Sequence, residues 1–485
     1  MRVFRRTLIS LGILSCLFQG LDAQISNSLY FMYGVPQSNR INPALQPKCG
    51  FYLGFPLLAP LRMEVASSSL AYKDIIYPHP SEDSLILFLH PLADKEAFLA
   101  RLQPVNFLAS DLGTSLASFG FRTAAGFFSV DLTMRVDGSF YYPRDLFRFI
   151  FSGPDEGEVF EFDGLGIDFS VINEFAMGWS ASITENLQVG ARGKIMFGIA
   201  DISTRESEMT LSSSRDSWLI RSNMILNASM PFARVNYDGE GLIEDVQIDE
   251  DLENADPFSI PGYLFNFRNL GVGADLGINY RPIEPLQLSL SAVDLGFISW
   301  NDGVHRAEYD TEYEHTPFEL DPFEFSEEYS FGEFLDSAIS RIGDSLFNSL
   351  HFTENDSYTR RLNARFYAGA SVYLTPNINF GLLSRTAFLN RKVTQQFTAS
   401  ANFTTGRFIN LTLSYSYMNN YLKNMGGGLA FNVGPLNLYL ISDNALNLVF
   451  WPHESRSVNL WFGMNLVFGY RQFKYPGTRD RPMIY

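Results

Sequence analysis

Cysteine is nearly absent from the 485 residues: the chain carries two, Cys16 and Cys49. Cys16 falls within an N-terminal leader, so one thiol remains, which excludes an internal disulfide framework and a cysteine-held metal cluster. Charge is scarce as well. Asp, Glu, Lys and Arg make up 18% of the chain, against about 25% in an average protein. The balance is acidic, with 53 Asp and Glu against 36 Lys and Arg. No basic cluster occurs beyond the leader, so nucleic acid is excluded as a partner. No later segment has the ~20 consecutive apolar residues of a spanning helix. The signatures G-x-S-x-G, P-loop and H-E-x-x-H are missing, and none of the six His lies beside a Ser or Asp in a recognisable arrangement. The chain therefore reads as a non-enzyme without catalytic residues or cofactor. The acidic run "DVQIDEDLENAD" (245–256) lacks the spacing of a calcium loop, so no metal site is expected.

The leader itself is "MRVFRRTLISLGILSCLFQGLDAQ". Arg2, Arg5 and Arg6 precede an apolar run from Leu8 to Phe18, and the small Ala23 stands before Gln24. That pattern predicts a cleaved secretory signal peptide over residues 1–23. Export points to an envelope or extracellular location.

Aromatic residues are abundant, at 15%, with 44 Phe and 23 Tyr. Such a composition suits strands and the girdles of a membrane barrel. A mean hydropathy of -0.02 fits a barrel too, since half of each strand faces a polar interior.

Strict alternation is the dominant pattern. In "SVNLWFGMNLVFGY" (457–470), Val458, Leu460, Phe462, Met464, Leu466 and Phe468 oppose Asn459, Trp461, Gly463, Asn465 and Gly469. "LQVGARGKIMFGI" (187–199), "LGVGADLGINYR" (270–281), "INLTLSYSY" (409–417) and "GFFSVDLTMRVDG" (126–138) repeat it. Side chains of a strand alternate between its faces, so each segment has one apolar and one polar side. The polar sides carry charges in mid-strand: Asp131, Arg135, Asp168, Arg192, Lys194, Asp275, Arg365 and Arg385. These are predicted to face a lumen. The runs reach about ten residues, as a tilted spanning strand requires, whereas soluble strands average about five or six.

Short turns such as "TENL" (184–187), "TPNI" (375–378) and "NVGPLN" (432–437) alternate with long acidic links at 231–262 and 301–359. Outer-membrane barrels have this asymmetry of short periplasmic turns and long outer loops. The expected fold is all-β: a transmembrane antiparallel β-barrel of about 14 strands, within a range of about 12 to 16. Among the candidate strands, "FYLGFPLL" (51–58) and "LNLYLIS" (436–442) are too short for both to be expected to span. The predicted organisation is signal peptide 1–23, N-terminal plug or periplasmic strap 24–48, barrel 49–475 and polar tail 476–485. Two segments with helical spacing, 92–103 and 333–347, are predicted as short amphipathic helices on the rim. In "SAVDLGFISW" (291–300) the apolar phase slips at Asp294, which predicts a β-bulge.

The block "SLYFMYGVPQSNRINPALQPKCGFYLGFPLLAPLRMEVASSSLAYKDII" (28–76), with "AVDLGFISW" later, resembles a family of outer-membrane barrels of unknown function from Bacteroidetes-type bacteria. More distantly, "INPAL" (41–45) is similar to the Asn-Pro-Ala motif in the N-terminal hatch of FadL-type transporters and of PorV-like and PorP-like barrels. The resemblance implies that Asn42, Pro43 and Ala44 form a plug motif. Physically, Pro43 pushes Asn42 out of the helical region, and an Asn side chain there can bond the backbone two residues on. The implied function is a FadL-like passive channel for small hydrophobic compounds. The alternative is a non-transporting docking barrel for secretion or surface assembly. Expected partners are outer-membrane lipids and lipopolysaccharide, the barrel-assembly machinery and a hydrophobic small molecule.

Overall fold

The computed structural model describes residues 27–470, apart from 80, 82, 215–216, 238–242, 250–259, 316–350, 355–356, 390–391, 406–407 and 419–420. The expected signal peptide, the expected helix at 333–347 and the expected polar tail at 476–485 lie outside the described residues.

Long alternating segments pair with their neighbours into one antiparallel sheet that closes on itself as a 14-strand barrel. Its segments in chain order are β1 (Phe51–Gly54), β2 (Leu61–Ser67), β3 (Val105–Thr123), β4 (Gly126–Pro143), β5 (Gly166–Ser182), β6 (Leu187–Ser213), β7 (Trp218–Ser229), β8 (Leu270–Ile283), β9 (Leu286–Trp300), β10 (Val304–His315), β11 (Arg365–Thr375), β12 (Ile378–Leu389), β13 (Lys392–Thr405), β14 (Ile409–Met418), β15 (Tyr421–Val433), β16 (Leu436–Ser442) and β17 (Ser457–Phe468). β1 and β2 share one place in the wall: both pair with β3 on one side and β17 on the other, which closes the ring. The two short segments, not both expected to span, both hold wall positions, because the wall place of 51–67 is assembled from two pieces and β16 pairs along its length with β15 and β17.

β7 and β10 lie outside the ring. β6 is 27 residues long; its first half pairs with β8 and its second half with β7. β7 in turn pairs with β10. These segments continue the sheet beyond the barrel at the end where the long links lie. The link at 301–359 therefore contains β10, and that at 231–262 contains the paired strands Ala233–Tyr237 and Ile243–Ile248, where the sequence had offered loops. Polar composition hid them, since a strand that leaves the apolar belt no longer needs an apolar face.

Alternation sorts the side chains as its period demands. Ile278, Leu288, Leu382, Phe397 and Leu413 stand exposed on the outer wall, while Gln287, Asn279, Thr398, Ser400 and Thr412 are buried inside. The outer band is the surface a hydrocarbon core would cover. No helix among the described residues is long and apolar enough to cross a membrane, which says nothing of strands. At the rim, α1 (Lys95–Arg101) is capped by Asp94, whose carboxylate accepts from the Ala97 amide at 2.9 Å. Its Phe98 packs with Phe151 of α2 (Arg144–Ser152). The helical spacing of 92–103 was legible, whereas α2 follows β4 without an intervening loop and was not picked out from the strand before it.

Candidate functional site

Successive inward side chains of β6 mark the layers of the lumen: Gly190, Arg192, Lys194, Met196 and Gly198. Each step of two residues rises about 7 Å.

At the lowest layer lies the N-terminal segment. Residues from Asn27 to Pro47 are folded as two 3-10 turns, Ser28–Phe31 and Pro36–Arg40, and an extended tail, almost all of it buried within the barrel. Its core is Leu29, Tyr30, Phe31, Met32 and Val35, packed on inward-facing Tyr367, Leu383, Tyr439 and Trp461. Asn42 is fully buried. Its Oδ1 accepts from the Ala44 amide at 3.0 Å, and its Nδ2 donates to the Tyr30 hydroxyl at 3.1 Å. The Tyr30 hydroxyl in turn donates to Ser289 Oγ of β9 at 2.9 Å. The turn Asn42-Pro43-Ala44 rests on the wall where Gly190 of β6 and Gly277 of β8 are direct cross-strand partners. A Cβ on Gly190 would overlap the Pro43 carbonyl, and one on Gly277 would come within 2.8 Å of the Ala44 amide nitrogen. Two glycines paired across the ladder give the plug backbone a flat place to lie.

The segment is tied at other points around the wall. Asp443 accepts from the amides of Asn27 and Ser28, the latter at 2.9 Å, and from the Ser28 hydroxyl at 2.5 Å. Gln37 and Asn465 exchange two amide hydrogen bonds at 2.7 and 3.1 Å. Arg122 of β3 donates to Gln46 Oε1 at 2.6 Å and to the Pro47 carbonyl at 2.7 Å.

Directly above, charges fill the lumen. Arg40 of the plug meets Asp131 at 2.7 Å, and Asp131 also holds Arg192 at 2.9 Å. Arg192 and Lys194 share Asp275 at 3.3 and 2.8 Å. Lys194 reaches Asp294 at 2.5 Å, and Asp294 also pairs with Arg135 at 3.2 Å and with Arg365. Glu174 completes Arg135 at 3.0 Å. Buried charges survive only when paired in this way.

Asp294 is the hub, and its position comes from the β-bulge. The ladder with β8 slips there: Ala274 faces Leu295 and Leu276 faces Ala292, leaving Val293 and Asp294 opposite Asp275. Asp294 adopts φ 59°, a left-handed conformation open to Asp and Asn more than to most residues. Its amide, taken out of the ladder, donates to Asp275 Oδ1 at 2.8 Å.

A third layer is apolar. Met196, Ile172, Ile298 and Trp300 form a buried cluster with Leu362 packed against it. Trp300 covers Gly198, whose hydrogen leaves room for the indole ring. The wall is interrupted where Leu362 meets this layer. β9 pairs with β11 up to Val293 and, beyond the bulge, with Tyr358–Arg361; residues 362–364 between the two partners lie outside any strand, joined to β9 by the Leu362 amide on the Gly296 carbonyl at 3.0 Å. β6 carries a further register shift opposite Val171 and Ile172.

With the geometry in hand, comparison with known proteins adds a family. A family model described as a family of unknown function, DUF5723, matches residues 43–443. The chain belongs to the DUF5723 family. The match runs from Pro43 in the plug turn to the anchor at Asp443, so it takes in the charged and apolar layers and leaves out most of the plug. No curated protein matches the sequence. Similar solved structures include the toluene transporter TbuX of Ralstonia pickettii, 9% identical, covering 89% of this chain and 94% of that one with a TM-score of 0.38. The toluene transporter TodX of P. putida is 10% identical over 88% and 92%, with a TM-score of 0.38. A FadL homologue of Pseudomonas aeruginosa is 9% identical over 92% and 96%, again at 0.38.

In this DUF5723 member, the charges singled out in the sequence separate into groups. Asp131, Arg135, Arg192, Lys194, Asp275 and Arg365 join one network. Asp168 stands apart, 4.0 Å from Arg360, which pairs with Asp201 at 2.6 Å. Arg385 bonds Gln396 at 2.9 Å. Asp294, Glu174, Arg40, Asp443, Asp201 and Arg360 belong to the site without having been picked out as lumen charges. The phase slip at Asp294 was visible, but not that the displaced residue would be the hub. Among the described residues, no group of three or more His, Cys, Asp or Glu could hold a metal ion.

Proposed function

We propose that the protein is an outer-membrane barrel that passively conducts small hydrophobic compounds from its outer mouth sideways into the bilayer. The chain ends and short turns would face the periplasm, with the long links outside. It would sit among outer-membrane lipids and lipopolysaccharide after insertion by the barrel-assembly machinery. One observation carries the reading: Leu362, in the stretch 362–364 where β9 changes partner, packs against the apolar layer of Met196, Ile172, Ile298 and Trp300, directly above the bulge at Asp294. Below it, ion pairs and the plug obstruct the straight route. An apolar solute held at that layer is offered a disturbed wall and a charged floor, and it gains free energy only by moving sideways. No chemical step is involved, so the reading is of a non-enzyme.

The test is entry of naphthalene into proteoliposomes containing the purified barrel. Saturable acceleration over protein-free liposomes is expected, and it should fall when Ile298→Asp places a carboxylate in the apolar layer. Equal rates with and without protein would refute it.

The density of the ion network favours a second reading, a non-transporting docking barrel with a permanently sealed lumen whose outer links are its working surface. Under that reading naphthalene entry is unaffected by the barrel, while truncation of the β7–β10 extension abolishes surface assembly.

A further inference from the structure

Beside the hub lies a polar cavity of about 90 Å³ that the proposed hydrophobic route does not use. It is bounded by β2, β3, β4 and Asp168 of β5 on one side and by β11, β12 and β13 on the other. Most charges on its wall are already matched. Asp111 pairs with Arg62, Asp137 with Arg135 at 3.5 Å, Arg365 with Asp294 and Arg360 with Asp201.

Two are not. Glu64 is 4% exposed, and its Oε2 has no hydrogen-bond partner. Arg385 is 6% exposed; its Nη1 donates to Gln396 at 2.9 Å and its guanidinium carbon stands 6.0 Å from the Tyr367 ring centroid, but its Nε has no hydrogen-bond partner and no carboxylate pairs with it. Among the described residues neither side chain forms an ion pair, with the other or with any third group. Burying an unpaired carboxylate and an unpaired guanidinium is costly. Facing one cavity from opposite walls, they are complementary to a solute with a charge of each sign.

We infer that this cavity is a binding site for a small dipolar solute, with its ammonium group at Glu64 and its carboxylate at Arg385. Size limits the class. A water needs about 10–15 Å³ of such space, so the cavity holds a few waters or one solute of a few heavy atoms. Guanidinium is suited to a carboxylate through paired N–H donors. Glu64 is an acceptor for the several donors of an ammonium. Occupancy also touches the plug: Gln396 Oε1, which accepts from Arg385, accepts from Asn27 Nδ2 at 3.1 Å.

The experiment is calorimetric titration of the full barrel in detergent with glycine, β-alanine and γ-aminobutyrate, which separate the two charges by increasing distances. Methylamine and acetate serve as single-charge controls. At least one dipolar probe should bind saturably and at least tenfold more tightly than either control. Glu64→Gln and Arg385→Gln should each weaken it tenfold or more, with heat-modifiable gel mobility reporting an intact barrel. If neither variant keeps that mobility, competition decides: excess methylamine and excess acetate should each displace the dipolar probe from the wild type. Absence of saturable binding by all three probes, binding unchanged in an intact Glu64→Gln barrel, or failure of either control to compete overturns the assignment. Naphthalene entry is a separate readout, so loss of one reading leaves the other standing.

Discussion

Gly190 and Gly277 face each other across the β6–β8 ladder, and the plug turn at Asn42-Pro43-Ala44 lies on the bare patch they leave. The relationship makes the plug's seat a matter of missing atoms. Gly277→Val is expected to lift the turn and cost about 1–3 kcal/mol, as overpacking does. Gly193→Val is the control, since nothing lies within 4 Å of a Cβ there. Urea unfolding in detergent measures the difference, and single-channel recording should show open events in the first variant only.

Asp294 neutralises parts of Lys194, Arg135 and Arg365 at once. Asp294→Asn keeps the left-handed backbone and removes the charge, leaving three cations short of a partner. Breaking a buried pair costs about 3–5 kcal/mol. A lower denaturant midpoint and an anion-selective leak are the expected results. An unchanged midpoint would mean that the network contributes nothing to stability.

Asp443 is the fastening of the first described plug residues. Asp443→Ala removes an acceptor of three hydrogen bonds from Asn27 and Ser28, worth about 1.5–3 kcal/mol each for a charged acceptor, less whatever water restores. The N-terminal segment should become cleavable by a protease added to the folded barrel, while the wall stays resistant. Equal cleavage of wild type and variant would count against Asp443 as an anchor.

Gly198 leaves room for Trp300. Gly198→Val would displace the indole and fill the apolar layer. Naphthalene entry should fall severalfold with the plug still protease-resistant, so that the loss is traced to the layer and not to the floor.

Residue order alone determined the barrel. The period of two in segments such as 270–281 and 409–417 assigns each side chain to bilayer or lumen without knowledge of any neighbour, because strand geometry is local. The same locality made the bulge at Asp294 legible as a slip of phase and the Asn42-Pro43 bend legible as a turn. Tertiary structure alone decided what meets inside. Asp131, Arg40 and Arg192 come from a strand, the plug and another strand, and their pairing depends on the register of the closed ring, a sum over many ladders. Glycine paired with glycine under Pro43, Asp443 at the plug's first turn, and the unpaired Glu64 and Arg385 are likewise products of closure. Periodicity tells a side chain which way to point; only the closed wall determines what it points at.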